Sequence, residues 1–258
     1  MRLEGRTAVV TGGGRGIGAA IAEALAQAGA SVVVAARSTA TLSEVERALR
    51  DAGYKAWAIS CDVGDPESVR HMAAAANTCL GHVDILVNNA GVAHSAPVKK
   101  IQLDDWDHLF RVNVTGTLLC TQAFMEGMVQ RRWGRVINIA SVAGLSGAKY
   151  VAAYSATKHA VIGFTRSLAA EVAHAGVTVN AVCPGYVDTD MTRASIAQIM
   201  RTTGLPEEAA LEAILALSPQ HRLLHPDEVA HAVTTLCDDA ARGINGQAIV
   251  IDGGALLA

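Results

Sequence analysis

Aromatic side chains are scarce: three Phe, three Trp and four Tyr make up 4% of 258 residues, whereas 51% of the residues are hydrophobic. A core of this composition cannot be assembled around large rings. It must rest on small aliphatic side chains, with helices lying close to a sheet. Charge of one sign is lacking too. A formal net charge of −3 supplies no general pull toward nucleic acid or an anionic membrane, and no basic stretch interleaved with aromatics marks a nucleic-acid surface. No apolar run approaches the ~18 uninterrupted residues expected of a membrane span. Cys61, Cys79, Cys120, Cys183 and Cys237 are dispersed with no Cys-x-x-Cys spacing, so no disulfide framework and no metal site is expected. The opening Met1-Arg2-Leu3-Glu4-Gly5 has no apolar secretion core, which with the scattered thiols points to the cytoplasm.

What is present is an alternation. Short β-branched runs at about 7–11, 31–36, 56–60, 84–88, 134–140, 177–182 and 247–251 read as strands. Alanine- and leucine-rich stretches near 16–29, 39–52, 66–80, 103–130, 153–174 and 226–238 read as the helices between them. Runs such as Ser31-Val32-Val33-Val34-Ala35 lack apolar–polar alternation, as expected of parallel strands buried on both faces. Pro66 and Pro226 fall where a first helical turn tolerates proline. The pattern predicts an α/β fold: one domain over residues 1–258, a doubly wound parallel sheet of about seven strands with ligands at the strands' carboxyl ends. Residues 188–222 break the rhythm with two short helical stretches, about 190–202 and 206–217, around Gly204-Leu205-Pro206. Helical material inserted beside strand ends suits a lid over a site.

The first strand runs into Thr11-Gly12-Gly13-Gly14-Arg15-Gly16-Ile17-Gly18, and a helix opens directly after it. Glycines there let the backbone approach a pyrophosphate, and the helix N-terminus offers free N–H groups to the anion. The spacing of Gly12, Gly16 and Gly18 differs from the common dinucleotide fingerprint, and the absence of a Gly-Lys-Ser/Thr ending argues against phosphoryl transfer. The second strand ends in Ala36-Arg37-Ser38 with no acidic residue to accept a ribose 2′-hydroxyl. Arg37 and Arg15 would attract a 2′-phosphate instead, so NADP(H) is expected over NAD(H).

Tyr154 and Lys158 are four residues apart on a predicted helix, with Ser141 thirteen positions before the tyrosine. Such a spacing puts both side chains on one helical face. A free phenol titrates near ~10 and is a weak acid–base catalyst at neutral pH, but an ammonium beside it favours the phenolate. The pair therefore suits proton transfer at an alcohol or carbonyl oxygen.

Taken in order, these residues resemble the short-chain dehydrogenase/reductase family in its compact form, from Arg6 to Gly254. The ordered markers are the Thr11-to-Gly18 turn, Cys61-Asp62-Val63, Asn88-Asn89-Ala90-Gly91, Asn113, Ser141, Tyr154, Lys158, Pro184-Gly185 and Thr189. The resemblance implies that Tyr154 acts as general acid in reduction and base in oxidation, and that Ser141 binds the substrate oxygen. It implies that Lys158 lowers the Tyr154 pKa and holds the nicotinamide ribose, with Tyr154 also against the cofactor. Asn113 would link Lys158 to solvent through its backbone and a water, or be a helix-kink residue whose amide satisfies backbone groups. Asp62 and Val63 would meet the adenine, while Asn89, Ala90 and Gly91 would line the cofactor groove. Val187 and Thr189 would orient the nicotinamide, and Pro184 and Gly185 would belong to the site's scaffold. His94, His159 and His221 lack metal spacing and are read as structural or surface groups.

The chain looks most similar to 3-oxoacyl-thioester reductases and 3-hydroxyacid dehydrogenases, and Gly176 to Gly185 is similar to polyketide ketoreductases. A β-keto substrate reduced with NADP(H) is thus expected. A small secondary alcohol, hydroxy acid or ring alcohol is the alternative, and an idle NADP(H)-binding sensor a distant one. Leu145, Tyr150, Tyr186, Met191, Ile196 and Met200 are expected to make the pocket apolar, with Lys149, Arg193, His221 and Arg222 available to a carboxylate or an acyl carrier. The resemblance also implies a homotetramer, or a homodimer, whose helices 103–130 and 153–174 meet across a dyad through Gly116, Gly127, Ala160, Gly163, Ala169 and Ala170.

Overall fold

The computed structural model describes residues 3–257; the part of the leader reading that concerns Met1 and Arg2 lies outside the described residues. Seven strands form one all-parallel sheet. They are β1 (Thr7–Thr11), β2 (Ser31–Ala36), β3 (Ala56–Ser60), β4 (Ile85–Asn88), β5 (Gly134–Ile139), β6 (Val177–Pro184) and β7 (Ala248–Ile251), in the spatial order 3-2-1-4-5-6-7. The order reverses between β1 and β4, where crossovers diverge to opposite faces and leave a crevice at the strands' carboxyl ends.

Helices α1 (Gly16–Gln27), α2 (Thr39–Asp51) and α3 (Pro66–Leu80) connect the first four strands. Further along come α4 (Leu103–Phe110), α5 (Gly116–Arg131), α6 (Ala152–Val172), α7 (Asp190–Thr203), α8 (Glu207–Leu215) and α9 (Pro226–Cys237). The missing alternation in the strands has its expected cause. Ala8, Val10, Val32 and Val34 enter one apolar core, while Val9, Val33 and Ala35 enter the other. The first core packs α1 beside α9, and the second lies under α3 and α5. Each valine so buried is worth roughly 1.5–3 kcal/mol. Proline opens α3 as expected, and the Asp65 carboxylate caps it by accepting from the Glu67 N–H at 3.1 Å.

The single helix expected over 103–130 is interrupted. Arg111–Thr115 forms a wider π-helical turn between α4 and α5. The Asn113 amide binds outward to neighbouring elements, and the Thr117 hydroxyl donates to the Asn113 carbonyl at 2.8 Å. The inserted segment forms α7 and α8 as expected. Its apolar residues Ile196, Ala210 and Ile214 form a small core separate from the two main ones. No helix among the described residues is long and apolar enough to cross a membrane.

Candidate active site

A groove of about 1160 Å³ runs along the carboxyl ends of β1 to β4. Its lining includes Gly12, Gly14, Arg15, Gly16, Ile17 and Gly18 from the glycine turn, and Arg37 and Ser38 from the end of β2. Asp62 and Val63, then Asn89, Ala90 and Gly91, supply its middle, and Thr189 its far wall. Those sequence-predicted residues are thus brought together. Tyr154, Lys158, Pro184, Gly185 and Val187 stand outside the lining. The Gly185 N–H donates to the Ile251 carbonyl at 2.9 Å and ties β6 to β7, and Val187 bridges to Leu224 at the root of the inserted segment.

The glycine turn is held by its neighbour across the sheet. The Thr11 hydroxyl accepts from the N–H groups of Asn89 and Ala90, each at 3.1 Å. Asn89 Nδ2 donates to the carbonyls of Thr11 at 2.9 Å and Gly12 at 3.1 Å. Beyond the turn, α1 begins at Arg15 with no side-chain cap, which leaves its first-turn N–H groups to an anion. Ser38 Oγ accepts from the Thr41 N–H and starts α2. Arg37 is exposed and makes no ion pair among the described residues. Arg15, also exposed, donates to Asp190 Oδ2 at 3.0 Å. Asp62 Oδ1 accepts from the Gly64 N–H at 2.9 Å, which fixes the carboxylate where the groove passes β3.

The predicted catalytic residues lie outside that lining, and Asn113 and Lys158 approach it at Gly91. Ser141 follows β5 and opens the turn Val142–Gly144, its Oγ accepting from the Ala143 N–H at 3.1 Å. That bond leaves the serine's own proton free to donate. Tyr154 lies in the first turn of α6, and Lys158 one turn later is buried. Lys158 Nζ donates to the Ile139 carbonyl at 2.8 Å and stands 5.6 Å from the centroid of the Tyr154 ring. A Cβ placed on Gly91 would lie 3.3 Å from Asn113 Oδ1 and 3.7 Å from Lys158 Nζ, so the ammonium borders the groove. Asn113 Nδ2 donates to the Val92 carbonyl at 2.9 Å and to Thr157 Oγ1 at 3.1 Å, and its Oδ1 accepts from the Val92 N–H at 2.9 Å.

The electrostatics depart from the simple expectation. Burial pushes the Tyr154 phenol up to about 12, against the lowering pull of a hydrogen bond with Ser141. Burial pushes Lys158 down to about 8. Desolvation is the largest cause of both shifts. The ammonium faces the Ile139 carbonyl and the ring rather than the phenolic oxygen, and the expected acidification of Tyr154 by Lys158 is not seen in this state.

Around the trio, the pocket differs from expectation in part. Tyr150, Tyr186 and Met191 are exposed near it, but Ile196 is buried within the inserted segment and Met200 packs against its core, because that segment needs them for its own packing. Arg193 pairs with Asp188 and Asp190, His221 with Glu212, and Arg222 with both oxygens of Glu228, so these three are already committed to carboxylates. Lys149 is exposed and has no such partner among the described residues. His94 approaches Asp105 at 3.9 Å and His159 binds the Ser155 carbonyl, both away from acid–base roles. Sequence reasoning missed Asp190 as a partner of Arg15, since 175 residues separate them. It also missed Thr157 as a partner of Asn113. Cys183 is buried, burial pushes its thiol up to about 11, and the Ser141 backbone hydrogen-bonds to it.

A family model described as short chain dehydrogenase matches residues 6–199. The chain belongs to the short-chain dehydrogenase family. This short-chain dehydrogenase is 41% identical to the 3-oxoacyl-(acyl-carrier-protein) reductase of Vibrio cholerae, over 98% of each chain. It is 36% identical to the D-beta-hydroxybutyrate dehydrogenase of Cupriavidus necator, again over 98% of each. A solved structure of a variant actinorhodin polyketide ketoreductase with NADPH superposes with a TM-score of 0.94 at 37% identity, covering 97% of each chain. Enzymes of this family are oxidoreductases that bind a nicotinamide cofactor, and this chain's residues fit one. Side chains are absent along the cradle at Gly12, Gly14 and Gly16, and α1 is uncapped behind it.

Proposed function

We propose that this short-chain dehydrogenase is an NADP(H)-dependent ketone reductase acting on a 3-oxoacyl thioester or a similar β-keto compound. The observation that supports the reading is Lys158 Nζ standing within 3.7 Å of a Cβ placed on groove residue Gly91, one helical turn after Tyr154 on α6. The unpaired Arg37 beside the glycine turn supports the phosphorylated cofactor. The bound cofactor supplies the hydride. Ser141 donates its free proton to the substrate oxygen and stabilises charge building there. Tyr154 holds its proton through neutral pH and delivers it to that oxygen, which is more basic than a phenolate as it becomes an alkoxide. A proton resting on Tyr154 suits reduction better than oxidation. Lys158 would hold the ribose end of the cofactor, and Asn113 keeps the wall at Val92 in place. Exposed Lys149, Tyr150 and Met191 offer an apolar approach with a cationic rim to an acyl chain and its carrier.

A 3-hydroxyacid dehydrogenase is the second reading, supported by the relative from Cupriavidus necator. The fold's long helices also support an oligomer, a tetramer or a dimer. Gly163 and Ala170 are exposed on α6, whereas Gly116 and Ala169 are turned inward. The five free thiols suit a cytoplasmic setting. The deciding measurement is loss of reduced-nicotinamide absorbance with β-keto thioesters against simple ketones and hydroxy acids. Tyr154→Phe should lower kcat by about a thousandfold; turnover unchanged by that substitution ends the assignment.

A further inference from the structure

The mouth of the groove is bridged by charge. Arg15, at the head of α1, donates to Asp190 Oδ2 at 3.0 Å, and Asp190 is the first residue of α7 in the lid. The other carboxylate oxygen of Asp190 takes Arg193 at 2.9 Å, and Arg193 reaches back to Asp188 at 2.7 Å. Contact between the two sides is close as well: a Cβ on Gly16 would lie 3.2 Å from Thr189 Cγ2. Arg193 and Arg15 together hold the Asp190 carboxyl below its ordinary range, so it stays charged at neutral pH.

Arg15 is, with Arg37, one of the two arginines expected from the sequence to attract a 2′-phosphate, and both line the groove. We propose that Asp190 is a specificity-setting residue, which competes with the 2′-phosphate of NADP(H) for the Arg15 guanidinium and latches α7 to the glycine turn until that phosphate displaces it. The inference rests on the NADP(H) reading. A phosphate and a carboxylate on one guanidinium bring like charges together, so the two exclude each other. Release costs Asp190 little, because Arg193 remains bound to it. The 2′-hydroxyl of NAD(H) carries no charge and cannot displace a carboxylate, so the latch stays closed. The lid would therefore loosen with one cofactor and not with the other.

Binding without substrate tests this, by fluorescence titration of the whole protein with NADPH and NADH. Asp190→Asn should tighten NADPH by roughly threefold, the size of an exposed ion pair, and leave NADH unmoved. Arg15→Ala should weaken NADPH, and adding Asp190→Asn to it should then change nothing. Arg193→Gln leaves Asp190 to Arg15 alone and should weaken NADPH slightly. Limited proteolysis within 188–222 should quicken with NADPH but not with NADH. A wild type that prefers NADPH and responds to Arg15→Ala, but whose NADPH affinity is unchanged or reduced by Asp190→Asn, overturns the competition alone. Equal NADPH and NADH affinities that neither Arg15→Ala nor Arg37→Ala alters overturn the cofactor reading and the latch with it.

Discussion

Lys158 Nζ donates to the carbonyl of Ile139 at 2.8 Å while standing 5.6 Å from the centre of the Tyr154 ring. The ammonium is fastened to the end of β5, and the phenol is carried one helical turn away. Burial acts on the two in opposite directions, raising Tyr154 to about 12 and lowering Lys158 to about 8. The site thus stores a charged group at some expense to folding.

That expense can be read through pH. Lys158 titrates at about 8 when folded, below its ordinary 10.5, so between those values the unfolded chain binds more protons and stability rises with pH. The penalty is complete below about pH 8 and relieved by 10.5. Lys158→Met should be inactive yet more stable than wild type at pH 7, by no more than roughly 3 kcal/mol. Its advantage should shrink in urea titrations carried from pH 8 toward 10. A gap that stays constant with pH would show that Lys158 is not held at a cost.

Charge reversal at the end of β2 should redirect cofactor choice. Arg37→Asp replaces an unpaired cation with a group able to accept from a 2′-hydroxyl. The ratio of kcat/KM for NADPH over NADH should fall by on the order of tenfold or more. Steady-state kinetics with both cofactors measures it, and an unmoved ratio removes Arg37 from the site.

The glycine turn leaves no room at Gly12. Its φ is +64°, and a Cβ there would lie 2.8 Å from Asn89 Nδ2 and 2.9 Å from Ala90 Cα. Gly12→Ala should cost about 1–3 kcal/mol and weaken cofactor binding. Thermal unfolding with and without cofactor reports both. A variant as stable and as responsive as wild type would contradict the packing described.

Asn113 should be structural first and catalytic through structure. Asn113→Ala removes three hydrogen bonds and leaves the Val92 N–H and carbonyl without that partner, at a cost of about 1–3 kcal/mol. Thr157→Val removes one of the three and should cost less. Comparing the two by denaturant unfolding separates the wall at Val92 from the contact at α6. Equal losses would place the weight on Thr157.

Strands and the glycine turn were legible because their signals are local. Valine runs, a proline at a helix start and glycines before a helix each state their own geometry within a few residues. The trio was legible for the same reason, through helical spacing and order. What escaped were relations between distant segments. A kink at Asn113 was readable, but not that its amide would find Val92 and Thr157 and open the turn at Arg111–Thr115. The engagement of Arg15 by Asp190 depends on how the lid folds back. The direction of the Tyr154 shift depends on depth of burial, which no spacing reports. Ile196 and Met200 were assigned to the pocket because apolarity alone does not tell a wall from a core.

The separate apolar centre formed by Ile196, Ala210 and Ile214 makes residues 188–222 resemble a cassette seated on a finished machine. Hydride and proton chemistry would stay with the sheet rim, α6 and the segment's opening residues at Thr189 and Asp190 while the part packed around that centre is recut, so new substrates could be recruited by exchanging its distal portion.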